Sequence, residues 1–534
     1  MIEKQYVIIQ AGGRGTRMEM LTKHKPKALL PFGDKTLIQN IADEYPPGTE
    51  FIVISDYLHE VLSAYLFSVL NEYNWTVIPV ANTTPAATGT CAGVKEALQY
   101  IPANHPFTIR WCDVLTDLPT RTSSCKGIEV FLTDKPCRKL WVNGRIENAP
   151  EFKQSCNGIC GIFVISDKSL LDGIPESGEF TDFLQTKTEY IVTTQLSEIV
   201  ELGTIEQYSA ATHQCIFASK NNNIAIIGDY VVKRATKPEF NERLRDETEW
   251  YRVVSHKVKG VVDLWHDETQ NECNCHYSMH KVDGTTLMNM NCSLASRLQV
   301  LRNIINTLKQ IHALPCLETH ESYQDACREM YIDKTVDRVL SVKDVLSGLI
   351  RHKLLIVNNK ICTNPFYSIV SLEAYKDALG KIADNPRPAV IHGDPTLSNA
   401  LVQQDLVVKL IDPRGKFGKI SVNGDERYDW AKLYYSVIGN YDYVVSQQFL
   451  IDIDTRLGLV AYNIASHTLE FGEEEILRAS GISKYEMLML QSSIWFSLCG
   501  YITQNVDAIY LAFIKGCESY HDAGKLCGHD DASI

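Results

Sequence analysis

Short β-branched runs alternate with stretches of helical length over the first 120 residues. Tyr6-Val-Ile-Ile-Gln10, Phe51-Ile-Val-Ile-Ser55, Trp75–Val80 and Phe107–Trp111 read as buried strands. Leu37–Tyr45, His59–Tyr73 and Gly93–Tyr100, which lie among them, have helical length. That rhythm predicts an α/β domain on a largely parallel sheet. From about 128 to 165 the strand-like runs crowd together around a turn at Val142-Asn-Gly-Arg145, as in an insertion or an antiparallel extension of the sheet. The polar stretch Ser219-Lys-Asn-Asn-Asn223 then breaks the pattern. After it, Ile224–Lys233 reads as a hairpin turning at Gly228-Asp229, and a charged helix covers about Pro238 to Val254. Beyond residue 290 long helical patterns dominate, including Ser293–Leu314 and Glu486–Tyr501. The break places the domain boundary near 213 to 220. It predicts one domain over 1–213 and a second over 220–534, the latter with a lobe of about 220–285 and a helical lobe of about 286–534. No internal repeat or low-complexity tract appears.

Composition narrows the classes. A chain of 534 residues exceeds one hydrophobic core, so several domains are expected. The 45% hydrophobic and 22% charged residues are ordinary for a globular protein. A net charge of −13 argues against an electrostatic nucleic-acid surface, though not against nucleotides held by backbone amides and a few cations. No apolar run approaches the roughly 20 residues of a membrane span. Met1-Ile-Glu-Lys-Gln leads directly into a strand without the apolar stretch of a signal peptide. The expectation is a cytoplasmic protein without nucleic-acid or membrane partners. Its 16 scattered cysteines fit reduced thiols. Cys273-Asn-Cys275-His276 is the one local cluster. A zinc site there would need further ligands at sensible spacing, so a plain hairpin or loop is the simpler reading.

Two motifs carry phosphate chemistry. Near the start stand Gln10-Ala-Gly-Gly-Arg-Gly-Thr-Arg17 and Lys25-Pro-Lys-Ala-Leu-Leu-Pro31. Gly12, Gly13 and Gly15 follow a buried strand, where the lack of a Cβ lets backbone N–H groups approach phosphate oxygens. Arg17 and Lys27 add positive charge for a triphosphate. The glycines alone are equally compatible with a tight strand–helix turn; the lysine segment makes the combination far more specific.

Late in the chain stand His392-Gly-Asp-Pro-Thr-Leu-Ser-Asn399 and Leu410-Ile-Asp-Pro-Arg-Gly415. Asp394 and Asn399 have the spacing of a kinase catalytic loop. An Asp there reaches an acceptor hydroxyl, while the Asn reaches back toward Mg²⁺ on the nucleotide phosphates. Asp412, at the end of the strand Leu406–Ile411, is placed to hold the metal directly.

The first motif, with Thr88-Gly89-Thr90 and Asp113 following in order, resembles the sugar-phosphate nucleotidyltransferase family, which includes phosphocholine cytidylyltransferases. That resemblance implies a Rossmann-like domain with a mixed, mostly parallel sheet. It assigns phosphate neutralisation to Arg17 and Lys27, the nucleotide to Gly12, Gly13, Gly15, Thr88 and Gly89, and Mg²⁺ to Asp113. Lys153, Gly158 and Glu179 would meet the acceptor. Two departures stand out. Cys112 occupies the position where the family has Gly before the metal Asp. In Val200-Glu-Leu-Gly-Thr204 the second metal carboxylate would be Glu201 rather than Asp. Glu201 reaches one methylene further and can still coordinate, or it is a strand-end surface carboxylate.

The second motif resembles the aminoglycoside phosphotransferase and choline kinase superfamily. The implied fold is a bilobal, protein-kinase-like α+β domain. Lys233 would contact the nucleotide phosphates and Glu247 would pair with it. Tyr277-Ser-Met279 would be the hinge at adenine, with Met279 a nucleotide contact. A Gly-x-Gly-x-x-Gly loop is absent, and Ser219–Asn223 would take its place. Asp429 in Tyr428-Asp-Trp-Ala-Lys432 would support the catalytic loop. Arg414 would bind the product phosphate or satisfy carbonyls in the turn.

Together the resemblances imply a bifunctional enzyme using Mg²⁺, ATP and a second NTP, with CTP or UTP favoured. One domain phosphorylates a small hydroxylated metabolite. The other couples the phosphate to an NMP, giving an activated donor for surface glycan synthesis. A sugar is the first choice of metabolite. Choline or another amino alcohol is the close alternative, and a nucleotide-binding regulator with one inactive domain is the alternative of another class.

Overall fold

In the computed structural model the described residues are 4–80, 89–116, 127–153, 157–196, 198–214, 222–272, 274–290, 292–316, 320–466 and 472–527; the side chains of 150–153, 213, 214 and 320 lie outside that description. They form two units, one from residues 1–217 and 504–506, the other from 218–503 and 507–534.

In the first unit, Val7, Ile8 and Ile9 are fully buried at the centre of β1 (Tyr6–Gln10). A strand apolar on both faces must be covered on both sides, as in parallel sheets. β1 pairs in parallel with β2 (Glu50–Ser55), which pairs in parallel with β3 (Asn74–Pro79); β4 (Phe107–Trp111) lies parallel on the other side of β1. The helices Leu37–Asp43, His59–Ser68 and Cys91–Ala97 follow in the alternation the sequence predicts. The crowded region adds β5 (Ile128–Thr133), β6 (Cys137–Val142), β7 (Arg145–Lys153), β8 (Gly158–Ile165) and β9 (Ile191–Gln195). β8 runs antiparallel to β4 and β5, β6 and β7 form a hairpin, and β9 lies parallel to β5, completing a nine-stranded mixed sheet. Asn143 and Gly144 turn the hairpin with φ of 50° and 76°, the two positive values a tight two-residue turn requires.

A short ribbon pairs Val114–Thr116 with Ile199–Glu201, setting Glu201 opposite Val114. Arg110, fully buried in β4, holds this ribbon. Its Nη2 donates to the Val114 carbonyl at 2.6 Å, and its guanidinium pairs with Glu44. The Glu44 carboxylate also accepts the Thr116 N–H at 3.1 Å.

The second unit opens with β10 (Asn222–Ile227), β11 (Tyr230–Ala235), β12 (Leu264–Asp267) and β13 (His276–His280), antiparallel in the order β10-β11-β13-β12. Gly228 turns the first hairpin at φ 58°. The helix Asn241–Val254 follows, with Leu244, Glu247, Tyr251 and Val254 on its buried stripe. The rest of the unit is mainly helical, with long helices at Leu294–His312, Ile369–Ala383 and Lys484–Cys499. It also contains a four-stranded sheet built from Leu354–Val357, Lys360–Thr363, Phe449–Asp454 and Leu459–Ile464. The sequence reading expected a mainly helical lobe there and none of these four strands. These strands are short and half-exposed, so their period-2 signal is weak. Among the described residues no helix is long and apolar enough to cross a membrane.

Candidate active sites

In the first unit one cavity of about 530 Å³ is lined by the glycine turn, Arg17, Lys27, Gly89, Asp113 and Glu201. The turn leaves β1 with Gly12 packed against Asp56 and Gly15 at φ 62°, its missing Cβ facing Thr22 at 3.0 Å. Lys27 is buried, and its Nζ lies 2.5 Å from Asp113 Oδ2 and 3.1 Å from the Gly203 carbonyl. Asp113 occupies the corner between β4 and the Val114–Thr116 strand, and the Leu202 N–H donates to its carbonyl at 2.9 Å. The Arg110–Glu44 pair fixes that corner from behind. Glu201 arrives from the partner strand of the ribbon. Its carboxylate accepts from the Cys137 thiol at 3.0 Å and from Gln207 Nε2 at 3.4 Å. Burial raises the Glu201 carboxyl above the usual range, and the nearby Asp113 charge adds to the rise. Glu201 therefore stands in the cavity wall beside Asp113 rather than on the open surface.

Gly89 has φ 128°, and a Cβ there would fall 2.3 Å from the Gly178 carbonyl oxygen. This contact excludes any side chain. Next to it, Thr90 Oγ1 donates to Glu179 at 3.1 Å and accepts the Phe180 N–H at 2.7 Å. Thr90 thus latches the nucleotide turn to the segment carrying Glu179, and both line the cavity. Sequence reasoning passed over Thr90 as a contact because its partner is distant along the chain. Thr88 lies outside the described residues, as does the Lys153 side chain at the end of β7. Gly158 packs against Cys137, where a Cβ would fall 2.8 Å from the sulfur; its neighbour Ile159, not Gly158 itself, lines the cavity.

In the second unit, Lys233 on β11 is buried. Its Nζ lies 2.7 Å from Glu247 Oε2 and 3.1 Å from Asp412 Oδ1. Burial disfavours its charge, but Glu247 and Asp412 outweigh burial and hold the ammonium above its ordinary value. Tyr277, in the segment expected as the adenine hinge, donates its hydroxyl to Glu247 Oε2 at 2.9 Å. Met279 is buried in β13 opposite Val231 and Leu264. Of the polar stretch expected to replace a glycine loop, residues 219–221 lie outside the described residues; Asn222 and Asn223 begin β10.

The catalytic loop runs from the strand Pro388–Val390 to the short helical turn Leu397–Asn399. Buried N–H groups outside a sheet need side-chain acceptors. Here Asp429 accepts from His392 N at 2.8 Å and Gly393 N at 2.7 Å, and also bonds His312 Nε2 at 2.9 Å. Ser436 and Asp442 accept from Leu397 N and Ser398 N at 2.8 and 3.0 Å. Asp429 is fully buried and touches the loop backbone. Asn399 Nδ2 donates to the Asp394 carbonyl at 2.9 Å and faces Asp394 Oδ2 at 3.4 Å. Lys432, three residues after Asp429, places its Nζ 2.8 Å from Asp394 Oδ1. Burial alone would raise the Asp394 carboxyl, but Lys432, Arg414 and His392 hold it below the usual range.

Asp412 has φ 56°, a left-handed value uncommon for a residue with a Cβ. Its N–H donates to the Tyr251 hydroxyl at 3.2 Å, and the Arg414 N–H donates to the His392 carbonyl at 2.8 Å. The two loops are thereby tied together. Asp394, Asp412 and Arg414 open onto one cavity of about 680 Å³.

The donor chemistry of both sites suits Mg²⁺. Asp113 with Glu201, and Asp412 with Asn399, offer hard oxygens in each unit, and a nucleotide supplies further oxygens from its phosphates. Among the described residues no cluster of three or more His, Cys, Asp or Glu side chains forms a closed protein cage for a metal.

Compared with family models, residues 7–120 match the MobA-like NTP transferase domain, and residues 217–440 match the phosphotransferase enzyme family. No curated protein matches the sequence. Among solved structures, the chain is similar to a putative glucose-1-phosphate thymidylyltransferase from Bacillus anthracis at 19% identity, covering 40% of this chain and 95% of that one, with a TM-score of 0.34. It is similar to the inositol-1-phosphate CTP transferase from T. maritima at 16% identity, covering 40% and 98%, with a TM-score of 0.32. By its family matches the chain is a fusion of two transferase domains, a nucleotidyltransferase followed by a phosphotransferase.

Proposed function

Starting from that fusion, we propose that the two domains catalyse consecutive steps on one small hydroxylated metabolite. One observation supports the reading most strongly. In each unit a buried lysine is ion-paired with the carboxylate suited to Mg²⁺: Lys27 with Asp113 at 2.5 Å and Lys233 with Asp412 at 3.1 Å. Such a pair is arranged to bind a metal–triphosphate complex. The carboxylate would hold the metal, and the lysine, freed from it, would neutralise the phosphates.

In the second unit the acceptor hydroxyl oxygen attacks the γ-phosphorus of ATP. The bond from that phosphorus to the bridging oxygen breaks, and ADP leaves. Asp394, ionised and held by Lys432, orients the hydroxyl and accepts its proton. Lys233, positioned by Glu247, neutralises the nucleotide phosphates. In the first unit an oxygen of the new phosphate monoester attacks the α-phosphorus of a second NTP. The bond to the bridging oxygen breaks, and pyrophosphate leaves. The nucleophile is already an anion and needs no general base. Arg17 and Lys27 stabilise the charge that builds on the phosphoryl oxygens. Bound Mg²⁺ would supply Lewis-acid charge neutralisation at both sites, held by Asp113 and Glu201 in one and by Asp412 and Asn399 in the other.

The product in this reading is an NMP-linked donor, with CTP or UTP as the second nucleotide and a sugar as the metabolite, made in the cytoplasm for surface glycan assembly. The test incubates the protein with Mg²⁺, ATP, each of CTP, UTP, GTP and dTTP, and a panel of sugars and amino alcohols. Mass spectrometry should find one nucleotide-linked product that requires both nucleotides. ATP consumption that never yields such a product would overturn the coupled reading.

A further inference from the structure

We infer that the acceptor of the C-terminal site carries an anionic group, a carboxylate or a phosphate monoester, beside the hydroxyl that receives the phosphoryl group. The inference rests on the kinase reading above and narrows it to a substrate class.

The 680 Å³ cavity onto which Asp394 opens is also lined by Lys334, Arg338 and Arg414. Among the described residues none of the three has a carboxylate within ion-pair distance. Lys334 Nζ has only Met330 Sδ, at 4.0 Å. Arg338 Nη1 donates to the Ser497 carbonyl at 3.1 Å, with its guanidinium 5.3 Å from the Tyr501 ring centre. Arg414 Nη1 donates to the Tyr428 hydroxyl at 3.3 Å. Lys334 and Arg338 lie four residues apart on the helix Lys334–Leu340, an arrangement in which like charges destabilise the helix. Burial, together with Arg414, Arg338 and Lys432, pushes the Lys334 ammonium well below its ordinary value. Packing does not require this cost, and a bound anion would remove it. The helix is preceded by a π-helical turn over Glu329–Asp333, a feature that often marks functional sites.

The same cavity argues against a quaternary ammonium. Its aromatic corner, Tyr435 and Tyr441 beside Asp394, has the composition of a choline cage. Lys432 already fills it, with Nζ 5.2 and 5.6 Å from the two ring centres and paired to Asp394. The carboxylates Glu329, Asp333 and Asp337 also line the cavity without pairing to the three cations, and they suit the hydroxyls of a polyol. The acceptor anion is a spectator: the hydroxyl oxygen gains the phosphoryl group, its proton passes to Asp394, and ADP leaves.

The test uses the full chain with ATP and Mg²⁺ and matched acceptors: hexoses, the corresponding hexuronic acids, hexose 6-phosphates, glycerol, glycerate, glycerol phosphate and choline. ADP formation should favour an anionic member over its neutral counterpart by about tenfold or more in kcat/KM. The carboxylate and phosphate arms distinguish the source of the charge. Lys334→Met and Arg338→Met should each collapse that preference through the KM of the acceptor, without lowering the melting temperature. Preference for a neutral acceptor or for choline would overturn the inference and leave the kinase reading intact. So would a rise in the KM of ATP rather than of the acceptor. No ADP formation with any member would overturn the kinase reading itself, and the inference with it.

Discussion

Glu247 sits on the apolar stripe of its helix, where burial alone would neutralise a carboxyl group. Lys233 and Tyr277 reach it from two strands and satisfy the same oxygen, at 2.7 and 2.9 Å. Breaking one partner of such a buried pair costs about 3–5 kcal/mol. Glu247→Gln should therefore lower ADP formation by about 10- to 100-fold, because Lys233 loses its anchor. NMP transfer in the other unit should be unaffected, and parallel assays of both reactions check this. Lys334 gives a prediction of opposite sign. The folded state holds its ammonium less protonated than the unfolded chain does, so the unfolded chain binds the extra proton. Stability then rises with pH between the lowered folded value and the ordinary lysine value of about 10.4. The melting temperature of Lys334→Met should exceed that of the unaltered protein most near neutral pH, and the gap should close toward about pH 10. A gap that does not change with pH would contradict the account. Asp394, Asn399 and Asp412 were legible in the sequence because their spacing is local. Thr90 was not, because its partners Glu179 and Phe180 lie far along the chain, and Lys334 was not, because Arg414 and Lys432, which set its surroundings, come from distant segments.

At the scale of elements, four apolar runs predicted the parallel half of the first sheet; Tyr6–Gln10, Glu50–Ser55 and Phe107–Trp111 are largely buried, while Asn74–Pro79, at the sheet's edge, buries only Ile78. The Asn143-Gly144 turn was equally plain. The added sheet Leu354–Val357, Lys360–Thr363, Phe449–Asp454 and Leu459–Ile464 was hidden, because pairing between distant half-exposed strands leaves little periodicity. The Tyr277 hydroxyl's contact with Glu247 was hidden for a related reason: in a β-strand, one residue of register decides which face a side chain meets. Gly89 tests how far the nucleotide turn depends on close backbone approach. Gly89→Ala would drive a Cβ into the Gly178 carbonyl at φ 128°. The expected cost is about 1–3 kcal/mol, with loss of NMP transfer and retention of ADP formation. Thermal melting with both assays checks it, and an alanine variant with full transferase activity would refute the latch.

At the scale of the whole molecule, each unit assembles its own lysine, its own carboxylates and its own cavity, and no residue is shared between the two sites. A kinase produces a phosphate ester and a nucleotidyltransferase of the proposed kind consumes one, so under the proposed function the fusion places producer and consumer on one chain in equal number. The most direct measurement of the central claim follows both half-reactions by ³¹P NMR in Asp394→Ala and Lys27→Ala proteins. The phosphorylated intermediate is first isolated from the unaltered protein incubated with the metabolite, ATP and Mg²⁺ but no second NTP. Asp394→Ala should form no ADP from the free metabolite, yet still release pyrophosphate from the second NTP when given that intermediate. Lys27→Ala should show the reverse. Loss of both reactions in either variant, with the protein still folded, would contradict two independent sites.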